Sequence, residues 1–306
     1  MELNGVMCSK NMDVSVIIVN YNTKDITKNC IDSVFNCTSG LTFEVILVDN
    51  ASIDGSRELF NKDNRIVYIY SEENLGFGKA NNLGYKYAKG KYLFLLNSDT
   101  LLLNNAIYYF YSQMEHRDDS VACMGCALLN SHYKPGHSYG NYPTIQNELA
   151  RRPLLRFISF LNGGFDSKPI QIVDDNCMEV EYICGADLFL KKSVADNFGL
   201  FDPHFFMYYE DVEMQFRYRK NGFSNVIVKG PSIIHLEGGS QGKRSNLTWR
   251  SNDIGSVLYC CRKIHGRLYT VLFKIVMLLV YLPLFIIDYR CGTRIKYNVL
   301  RDFVLL

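Results

Sequence analysis

Four successive apolar segments near the start of the sequence end in carboxylate or amide residues. The endings are NYN, VDN, EEN and NSD, and the last of them follows the strongly apolar segment 92–96. Asn, Asp and Ser are common in turns, so each ending by itself is compatible with an ordinary turn. Four such endings in succession favour one shared polar pocket that binds a nucleotide.

A second group of acidic residues lies much later in the chain. Glu210, Asp211 and Glu213 follow the apolar sequence HFFMYY and begin an amphipathic segment that ends at Gly222. Acids at a helix N-terminus also stabilise the helix dipole, which is the simpler interpretation. The apolar residues before the group indicate that part of it is desolvated. Desolvation raises the pKa of a carboxyl group and makes its carboxylate a better base.

The apolar segments alternate with segments that suit helices. Four of them have the β-branched, continuously apolar character of buried parallel strands, namely 14–22, 43–52, 66–74 and 91–100. This alternation predicts an α/β fold with a doubly wound sheet. In such sheets the ligand binds at the carboxyl ends of the strands, which is where the four polar endings lie.

Composition and short motifs exclude several classes of protein. The chain is 48% hydrophobic with a net charge of +2, so it is globular and lacks the basic excess of a nucleic-acid-binding protein. A dinucleotide fingerprint after the first strand and a P-loop are both missing from the sequence. Cys123 and Cys126 lack a second pair at zinc-site spacing, so we expect a buried strand there and a reducing, cytoplasmic compartment.

The ordered blocks VSVIIVNYN, VILVDNASIDGS, ENLGFGKANNLG, LLNSD, YICGADLFLKKS, FGLFDPHFFMYYEDVEMQFRYRKNGF and SIIHLEGGS resemble family 2 glycosyltransferases, which have the inverting GT-A fold. The resemblance covers roughly residues 13–240 and is most marked for the bacterial rhamnosyltransferase-like branch, which builds O-antigen and related polysaccharides. It implies a single Rossmann-like mixed sheet flanked by helices, followed here by a C-terminal apolar helical extension.

In the GT-A fold the NSD position carries a DxD motif whose last Asp coordinates a divalent metal on the donor diphosphate. The matching residues are Asn97, Ser98 and Asp99, so an amide that can bind ribose or a neighbouring loop replaces the first acid. The resemblance implies that Asp99 and His235 together bind Mg²⁺ or Mn²⁺. An imidazole ligand favours acceptance of Mn²⁺ alongside Mg²⁺. A lone His after an apolar segment is also commonly structural, and this alternative stays open.

The resemblance also implies roles for the acidic group and for the polar strand endings. Inverting transfer needs a base that removes the proton of the acceptor hydroxyl, and the matching residue is Asp211, with Glu210 as the second choice. Asp49 matches the carboxylate that recognises a pyrimidine base. The residues expected around the nucleotide sugar are Asn20, Tyr21, Asn22, Asp49, Asn50, Asn74, Asn81, Asn97, Ser98 and Asp187. Lys243 and Arg244 lie in a loop that we expect to close over the diphosphate or to act as a solvated linker.

The C-terminal part of the chain differs in composition. Residues 268–287 are apolar except for Lys274, and basic residues stand on both sides. Crossing a bilayer needs roughly 20 apolar residues, so the length is borderline. We expect a helix lying in the cytoplasmic leaflet, with a full span or a buried helix as alternatives. The chain is therefore divided into a catalytic domain, residues 1–240, and a flexible loop with a membrane-associating helical region, residues 241–306.

Together these features predict a metal-dependent inverting glycosyltransferase at the cytoplasmic face of the cell membrane. We expect it to move a sugar, rhamnose by its branch, from a dTDP or UDP donor to a glycan or lipid-linked acceptor in cell-surface polysaccharide synthesis. One alternative is an inactive, membrane-associated protein that binds sugar nucleotides, which the altered DxD motif favours. Another is a sugar-phosphate nucleotidyltransferase, although the segment NYNTKD lacks the glycine-rich basic loop that this class needs.

Overall fold

The computed structural model describes residues 12–150, 171–174, 176–236 and 251–290. Its helices are α1 (Lys24–Cys37), α2 (Ser56–Phe60), α3 (Gly76–Tyr85), α4 (Ala106–Glu115), α5 (Ile145–Ala150), α6 (Lys192–Phe198), α7 (Glu210–Lys220), α8 (Ser251–His265) and α9 (Arg267–Arg290). Its strands are β1 (Val14–Asn20), β2 (Phe43–Asn50), β3 (Ile66–Ser71), β4 (Tyr92–Asn97), β5 (Thr100–Leu102), β6 (Val121–Cys126), β7 (Tyr139–Gly140), β8 (Gln171–Asp174), β9 (Cys177–Val180), β10 (Tyr182–Ile183), β11 (Asp187–Lys191), β12 (Ser224–Val228) and β13 (Ile233–His235).

A nine-stranded mixed sheet forms the centre of the protein, in the order β3-β2-β1-β4-β11-β6-β12-β9-β8. The first four strands in this order are parallel, and β11 runs antiparallel to both β4 and β6. The predicted mixed α/β sheet flanked by helices is therefore confirmed. The strand order reverses between β1 and β4, so the carboxyl ends of these two strands form the crevice where such sheets bind ligands.

Both faces of the sheet are covered, which explains the continuously apolar strands. One face packs against α1 and α4 through a cluster that contains Ile18, Phe94 and Phe110. The other face packs against α6 and α7 through Leu95 and Tyr218. The sheet is thereby fixed between two helical layers, and the loops at its carboxyl edge stand on a rigid base.

The sequence motif with two cysteines lies in this core. Strand β6 is buried along its whole length, and Cys123 and Cys126 are both free thiols. Burial raises the pKa of Cys123 and that of Cys126, which keeps both thiols protonated. The interpretation of this segment as a buried strand is confirmed.

A short antiparallel pair, β5 and β13, extends from the carboxyl edge of the sheet. In this pair His235 lies opposite Thr100, although 135 residues separate them in the chain. The pair therefore carries the end of β13 to the loop that follows β4.

The two C-terminal helices pack against each other and against the rest of the protein. Ile254 and Val257 of α8 meet Phe273 and Met277 of α9 in a buried cluster, with Leu149 of α5 at its margin. The predicted boundary at residue 240 lies outside the described residues, and so do Lys243 and Arg244. Within the described ranges, no helix has the length and apolarity that crossing a bilayer requires.

Candidate active site

Three of the four polar strand endings use their side chains in local turns. Asn20 Oδ1 accepts a hydrogen bond from the backbone N–H of Thr23, and Asp49 Oδ1 accepts one from the N–H of Ser52. Asn74 Oδ1 likewise accepts from the N–H of Gly76 at 2.9 Å. Such short-range bonds are what Asn and Asp commonly make in turns. The turn interpretation therefore accounts for these three endings in the structure.

The other endings also make hydrogen bonds to neighbouring loops, but the fourth ending adds a contact between an acid and an imidazole. Asp99 is buried, and its Oδ1 lies 3.3 Å from Nε2 of His235. The backbone supports this contact, since the N–H of Leu236 donates to the carbonyl oxygen of Asp99. The structure thus brings together the two residues that the family resemblance implies as metal ligands.

Asn97 completes this cluster. Its Nδ2 lies 3.5 Å from Nε2 of His235, while its Oδ1 is buried without a hydrogen-bond partner among the described residues. A buried oxygen that lacks a partner is costly and needs a specific reason. A ligand hydroxyl or a bound water at this position would satisfy it.

The pair of Asp99 and His235 has a spacing that suits a divalent ion. Ligand distances of about 2.1 Å in an octahedral site place neighbouring ligand atoms about 3.0 Å apart, close to the separation found here. Within the described ranges, no group of three or more His, Cys, Asp or Glu residues forms a complete metal site. Ions at phosphate sites are commonly held by one or two protein ligands, with phosphate oxygens and waters as the others. The residues present fit that arrangement.

Asp187 lies beneath this cluster, at the start of β11. Its Oδ2 accepts a hydrogen bond from the backbone N–H of Cys126, while its Oδ1 is buried with no partner in the described part of the chain. Burial raises the pKa of Asp187 to about 7, and the backbone bond and nearby His235 oppose this shift. The side chain is 0% exposed, so its expected contact with sugar hydroxyls stays a prediction.

The acidic pair lies at the first turn of α7. Glu210 is buried, its Oε2 has no hydrogen-bond partner within the described ranges, and burial together with the Asp211 charge raises its pKa to about 8. Asp211 is half-buried and accepts two backbone hydrogen bonds, from Gly185 at 2.8 Å and from Val212 at 2.9 Å. Burial also raises the pKa of Asp211, whereas these bonds oppose the shift. Because N–H donors stabilise a carboxylate, we assign the negative charge of the pair to Asp211.

One short segment joins the acidic pair to the cluster at the end of β4. The N–H of Gly185 donates to Asp211, and the carbonyl of Ala186 accepts from the N–H of Asn97. Asp187 follows directly and pairs with Leu96 in the sheet. The acids of α7 and the polar end of β4 therefore lie on either side of the same short segment.

The backbone just before the acidic pair adopts an uncommon conformation. Tyr208 and Tyr209 have φ values of 70° and 68°, in the left-handed region that non-glycine residues rarely occupy. Strained backbone of this kind persists where the surrounding structure fixes it, and it is frequent at functional sites. Nothing in the residue types of this segment signals the strain.

The expected base-recognition residues form the edge of the crevice. Asp49 is fully buried and its Oδ2 accepts a hydrogen bond from the hydroxyl of Tyr68, whose pKa is raised by burial and by this bond. Asn50 accepts from the N–H of Leu75 and donates to Asn74. These contacts hold the loops together, and direct contact of Asp49 or Asn50 with a nucleotide stays a prediction.

The remaining expected donor-binding residues have varied surroundings. Asn20 and Asn81 are buried; Asn20 bonds to its own loop and to Ser52, and Asn81 bonds to its own helix. Ser98 lies 3.5 Å from the Thr23 hydroxyl. Asn22 accepts from the N–H of Ile53, whereas Tyr21 is 45% exposed. Tyr21 and Asn22 are both exposed and therefore present accessible surface for a nucleotide.

Gly76 allows α3 to approach the segment before the acidic pair. A Cβ atom at this position would lie 2.0 Å from the carbonyl oxygen of Phe206, and φ is +77°. That carbonyl accepts a hydrogen bond from the N–H of Phe77. No side-chain rotation can relieve such a clash, because the backbone fixes the position of Cβ and the Phe206 oxygen is itself a backbone atom.

We expect Gly76→Ala to lower the free energy of unfolding by about 2–4 kcal/mol, since it combines backbone strain with a steric clash. Urea unfolding of the full chain measures this change. Gly222→Ala is the matched control, because Gly222 also has a positive φ but a Cβ there would meet open space among the described residues. Equal losses of unfolding free energy in the two variants would show that the close contact with Phe206 does not contribute to the effect of Gly76→Ala.

Comparison with known proteins places the sequence of this chain in a family. Residues 15–173 match the family described as glycosyl transferase family 2. Glycosyltransferase GlyG of Streptococcus pneumoniae is 30% identical over 133 residues, which are 42% of each chain. The low-salt glycan biosynthesis hexosyltransferase Agl10 of Haloferax volcanii is 27% identical over 216 residues, or 69% of this chain and 63% of that protein. The match thus spans less than two thirds of the length of either relative.

Solved structures also show a similar fold. The crystal structure of GalNAc-T7 with UDP, GalNAc and Mn²⁺ superposes with a TM-score of 0.59 and 16% identity, over 83% of this chain and 48% of that one. At this identity the similarity concerns the fold alone, which is a GT-A-like mixed sheet flanked by helices.

Proposed function

The chain belongs to glycosyl transferase family 2, and from its site geometry we propose that it is an inverting glycosyltransferase. It transfers a sugar from a nucleoside-diphosphate donor to a hydroxyl group of a glycan or lipid-linked acceptor. The observation that carries this proposal is the acidic pair of α7, in which two backbone N–H groups stabilise a carboxylate on half-buried Asp211.

In the proposed reaction Asp211 accepts the proton of the acceptor hydroxyl while that oxygen forms a bond to the anomeric carbon of the sugar. The bond from that carbon to the donor phosphate breaks on the opposite face, and the nucleoside diphosphate leaves with the electron pair. Buried Glu210, next to Asp211, keeps the surroundings of the base poor in water. A single displacement of this kind inverts the anomeric configuration.

Asp99 and His235 would hold a divalent ion at the donor diphosphate, and Mn²⁺ or Mg²⁺ fits their donor atoms. Such an ion neutralises the charge that develops on the leaving diphosphate. Asn97, whose buried Oδ1 has no partner within the described ranges, would bind a hydroxyl of the donor or a water beside it. These residues therefore bind and orient the donor, whereas Asp211 handles the proton.

A pyrimidine donor, dTDP or UDP, is supported by the match of Asp49 to the family's base-recognition carboxylate. Rhamnose as the sugar is supported by the resemblance of the ordered sequence blocks to the rhamnosyltransferase-like branch. Polysaccharide synthesis is supported by Agl10, which is named for glycan biosynthesis in its own organism.

The outer face of α9 supports a position at the cytoplasmic membrane surface. Five aliphatic side chains along this helix are between 49% and 87% exposed, namely Leu268, Val271, Leu272, Ile275 and Leu279. Their spacing of three and four residues places them on one face, opposite buried Phe273 and Met277. Exposed Arg267 and half-buried Lys274 lie along one side of this apolar stripe. An apolar face beside basic residues suits an anionic bilayer surface.

We expect the double variant Leu268→Glu/Leu272→Glu to bind vesicles of anionic phospholipid at least about ten-fold more weakly than the wild type. Two buried aliphatic side chains contribute more than this factor to membrane binding. Vesicle co-sedimentation of the full chain measures the change. Val173→Glu is the control, because Val173 is a comparably exposed aliphatic residue on β8. Unchanged sedimentation of the double variant would remove α9 as the membrane contact.

A screen of nucleotide sugars tests the proposed reaction. Purified full chain is incubated with UDP and dTDP sugars in Mg²⁺ or Mn²⁺, and binding and slow hydrolysis of the donor are measured. We expect one pyrimidine nucleotide sugar to bind and to be hydrolysed. Binding without any hydrolysis or transfer would favour the inactive alternative, and formation of a nucleotide sugar from a sugar phosphate would favour the nucleotidyltransferase.

A further inference from the structure

Helix α8, the first of the two C-terminal helices, contacts the loop that leads into the acidic pair. This loop, residues 202–209, is called the pre-acid loop here. Ser256 Oγ donates a hydrogen bond of 2.8 Å to the carbonyl oxygen of Met207. The hydroxyl of Tyr259 donates to Asp202 Oδ2 at 3.0 Å. Helix α8 therefore holds the loop both at its start and close to its end.

Charge reinforces the contact at the start of the loop. Lys263 Nζ lies 3.0 Å from Oδ2 of Asp202, the same oxygen that accepts from Tyr259. Asp202 also accepts from the N–H and the ring of His204. These partners together hold the pKa of Asp202 well below its usual range, although its burial opposes the shift. Asp202 is thus an ionised anchor that joins the loop to α8.

Apolar contacts seal the same interface. Phe205 is 1% exposed and packs with Cys260 of α8 and Val212 of α7. Its ring lies 5.0 Å from that of Tyr259 in an edge-to-face arrangement, a favourable aromatic geometry. Tyr209 packs against the buried cluster formed by α8 and α9. Buried Phe205 therefore anchors the loop against α8, whereas Pro203, His204 and Phe206 are exposed.

The loop needs such support, because it ends in the strained pair Tyr208 and Tyr209. Residues in sparsely populated backbone conformations persist only when the surrounding structure holds them. The next residues are Glu210 and Asp211, so a shift of the loop moves the carboxylates directly. A displacement of about 1 Å at a catalytic group can lower a rate by about 10²-fold.

We propose that Ser256, Tyr259 and Lys263 are positioning residues, which fix the orientation of Asp211 through the pre-acid loop. This inference rests on the proposed function of Asp211 as the base. It makes α8 a part of the catalytic unit, although the sequence places it in the region after residue 240 that was expected to be a separate membrane-associating segment. None of the three residues needs to touch the donor or the acceptor.

The test compares the full chain with the double variant Ser256→Ala/Tyr259→Phe, which removes two hydrogen bonds and keeps the aromatic ring. We expect kcat to fall about ten-fold or more, while KM for the donor and the affinity for its nucleotide stay within about two-fold. Hydrogen exchange at the backbone N–H groups of Phe205 and Glu213, which are bonded to Asp202 and Tyr209, should accelerate. A partly unfolded preparation would also lower kcat without changing KM, so the stoichiometry of nucleotide binding is measured as well, and an unchanged stoichiometry assigns the fall in kcat to misplacement of Asp211.

Two further variants sharpen the result. Ser256→Thr keeps the hydroxyl and should recover most of the kcat that Ser256→Ala loses. Thr270→Val in α9 removes a hydrogen bond of similar length to the carbonyl of Gly266, which precedes that helix, and it should leave kcat and the exchange rates unchanged. Wild-type kcat and unchanged exchange in the double variant would overturn the positioning role. If the double variant accelerates hydrogen exchange as expected but the wild-type chain transfers no sugar, the proposed function is overturned instead.

Discussion

Asp211→Asn should lower turnover by at least about 10²-fold, the usual contribution of a general base, with donor binding nearly unchanged. The amide keeps the size of the side chain but has no basic oxygen at neutral pH. Asp211 lies outside the cluster of Asn97, Asp99 and His235 that we assign to the donor diphosphate. The loss should therefore fall on kcat, and KM for the donor should change little.

The structure also predicts how the two members of the acidic pair differ. The raised pKa of Glu210 keeps this side chain protonated at pH 7, and its Oε2 makes no hydrogen bond to any described residue. Glu210→Gln should therefore lose less than about ten-fold in kcat, because an amide replaces a neutral carboxyl group. Asp119→Asn controls for the chemical change itself, since that carboxylate is fully exposed at the surface.

Steady-state kinetics with the donor identified by the screen would measure these effects, and thermal unfolding would check that each variant is folded. In Asp211→Asn the new side-chain amide can place its NH₂ group against the N–H of Gly185 or Val212, so some loss of stability is expected. Near-wild-type turnover in Asp211→Asn would exclude Asp211 as the base. A larger fall in kcat in Glu210→Gln than in Asp211→Asn would indicate that Glu210 is the base.

Loss of either expected metal ligand should weaken the metal-dependent binding of the donor nucleotide. We expect at least about a ten-fold loss of Mn²⁺ affinity in Asp99→Ala and in His235→Ala, measured by electron paramagnetic resonance with saturating nucleotide. The double variant should lose little more than the worse single variant, because groups that act as a unit are not additive. Additive losses would indicate that the two side chains act separately.

Asn97 provides the contrast for this experiment. Asn97→Ala should raise KM for the donor by a moderate factor. It should leave the affinity for Mn²⁺ unchanged, since the Asn97 amide carries no charge. Asn97→Asp restores the first acid of the DxD motif beside His235 and should be tolerated. A Mn²⁺ affinity that falls as far in Asn97→Ala as in Asp99→Ala would make Asn97 a direct ligand.

The alternation of apolar strands and amphipathic helices was enough to predict the parallel part of the sheet, β1 to β4, and the edge that carries the candidate site, whereas the mixed character of the sheet was implied by the family resemblance. The strands were predicted to extend too far along the chain. They end earlier because polar side chains at their ends bond to the turn that follows. β1 ends at Asn20 instead of Asn22, and β3 ends at Ser71 instead of Asn74. In β1 the cause is Asn20, which accepts from both the N–H and the hydroxyl of Thr23.

Other features of the site depend on contacts between distant parts of the chain. Gly185 reaches Asp211 across 26 residues, and Ser256 reaches Met207 across 49 residues. Sequence patterns report local periodicity and carry no signal for such pairings. The left-handed backbone at Tyr208 and Tyr209 is likewise fixed by its surroundings, since tyrosine has no preference for it.

Calorimetric titration of the full chain with UDP and with dTDP tests most directly whether the edge that contains Asp99 and His235 is the donor site. We expect one of these nucleotides to bind saturably at a single site in Mn²⁺. Removal of the metal with a chelator, or the change Asp99→Ala, should weaken this binding at least about ten-fold. Binding that is equally strong with Mn²⁺, with the chelator and in Asp99→Ala would contradict the assignment and leave the NSD sequence as a turn at the end of a strand.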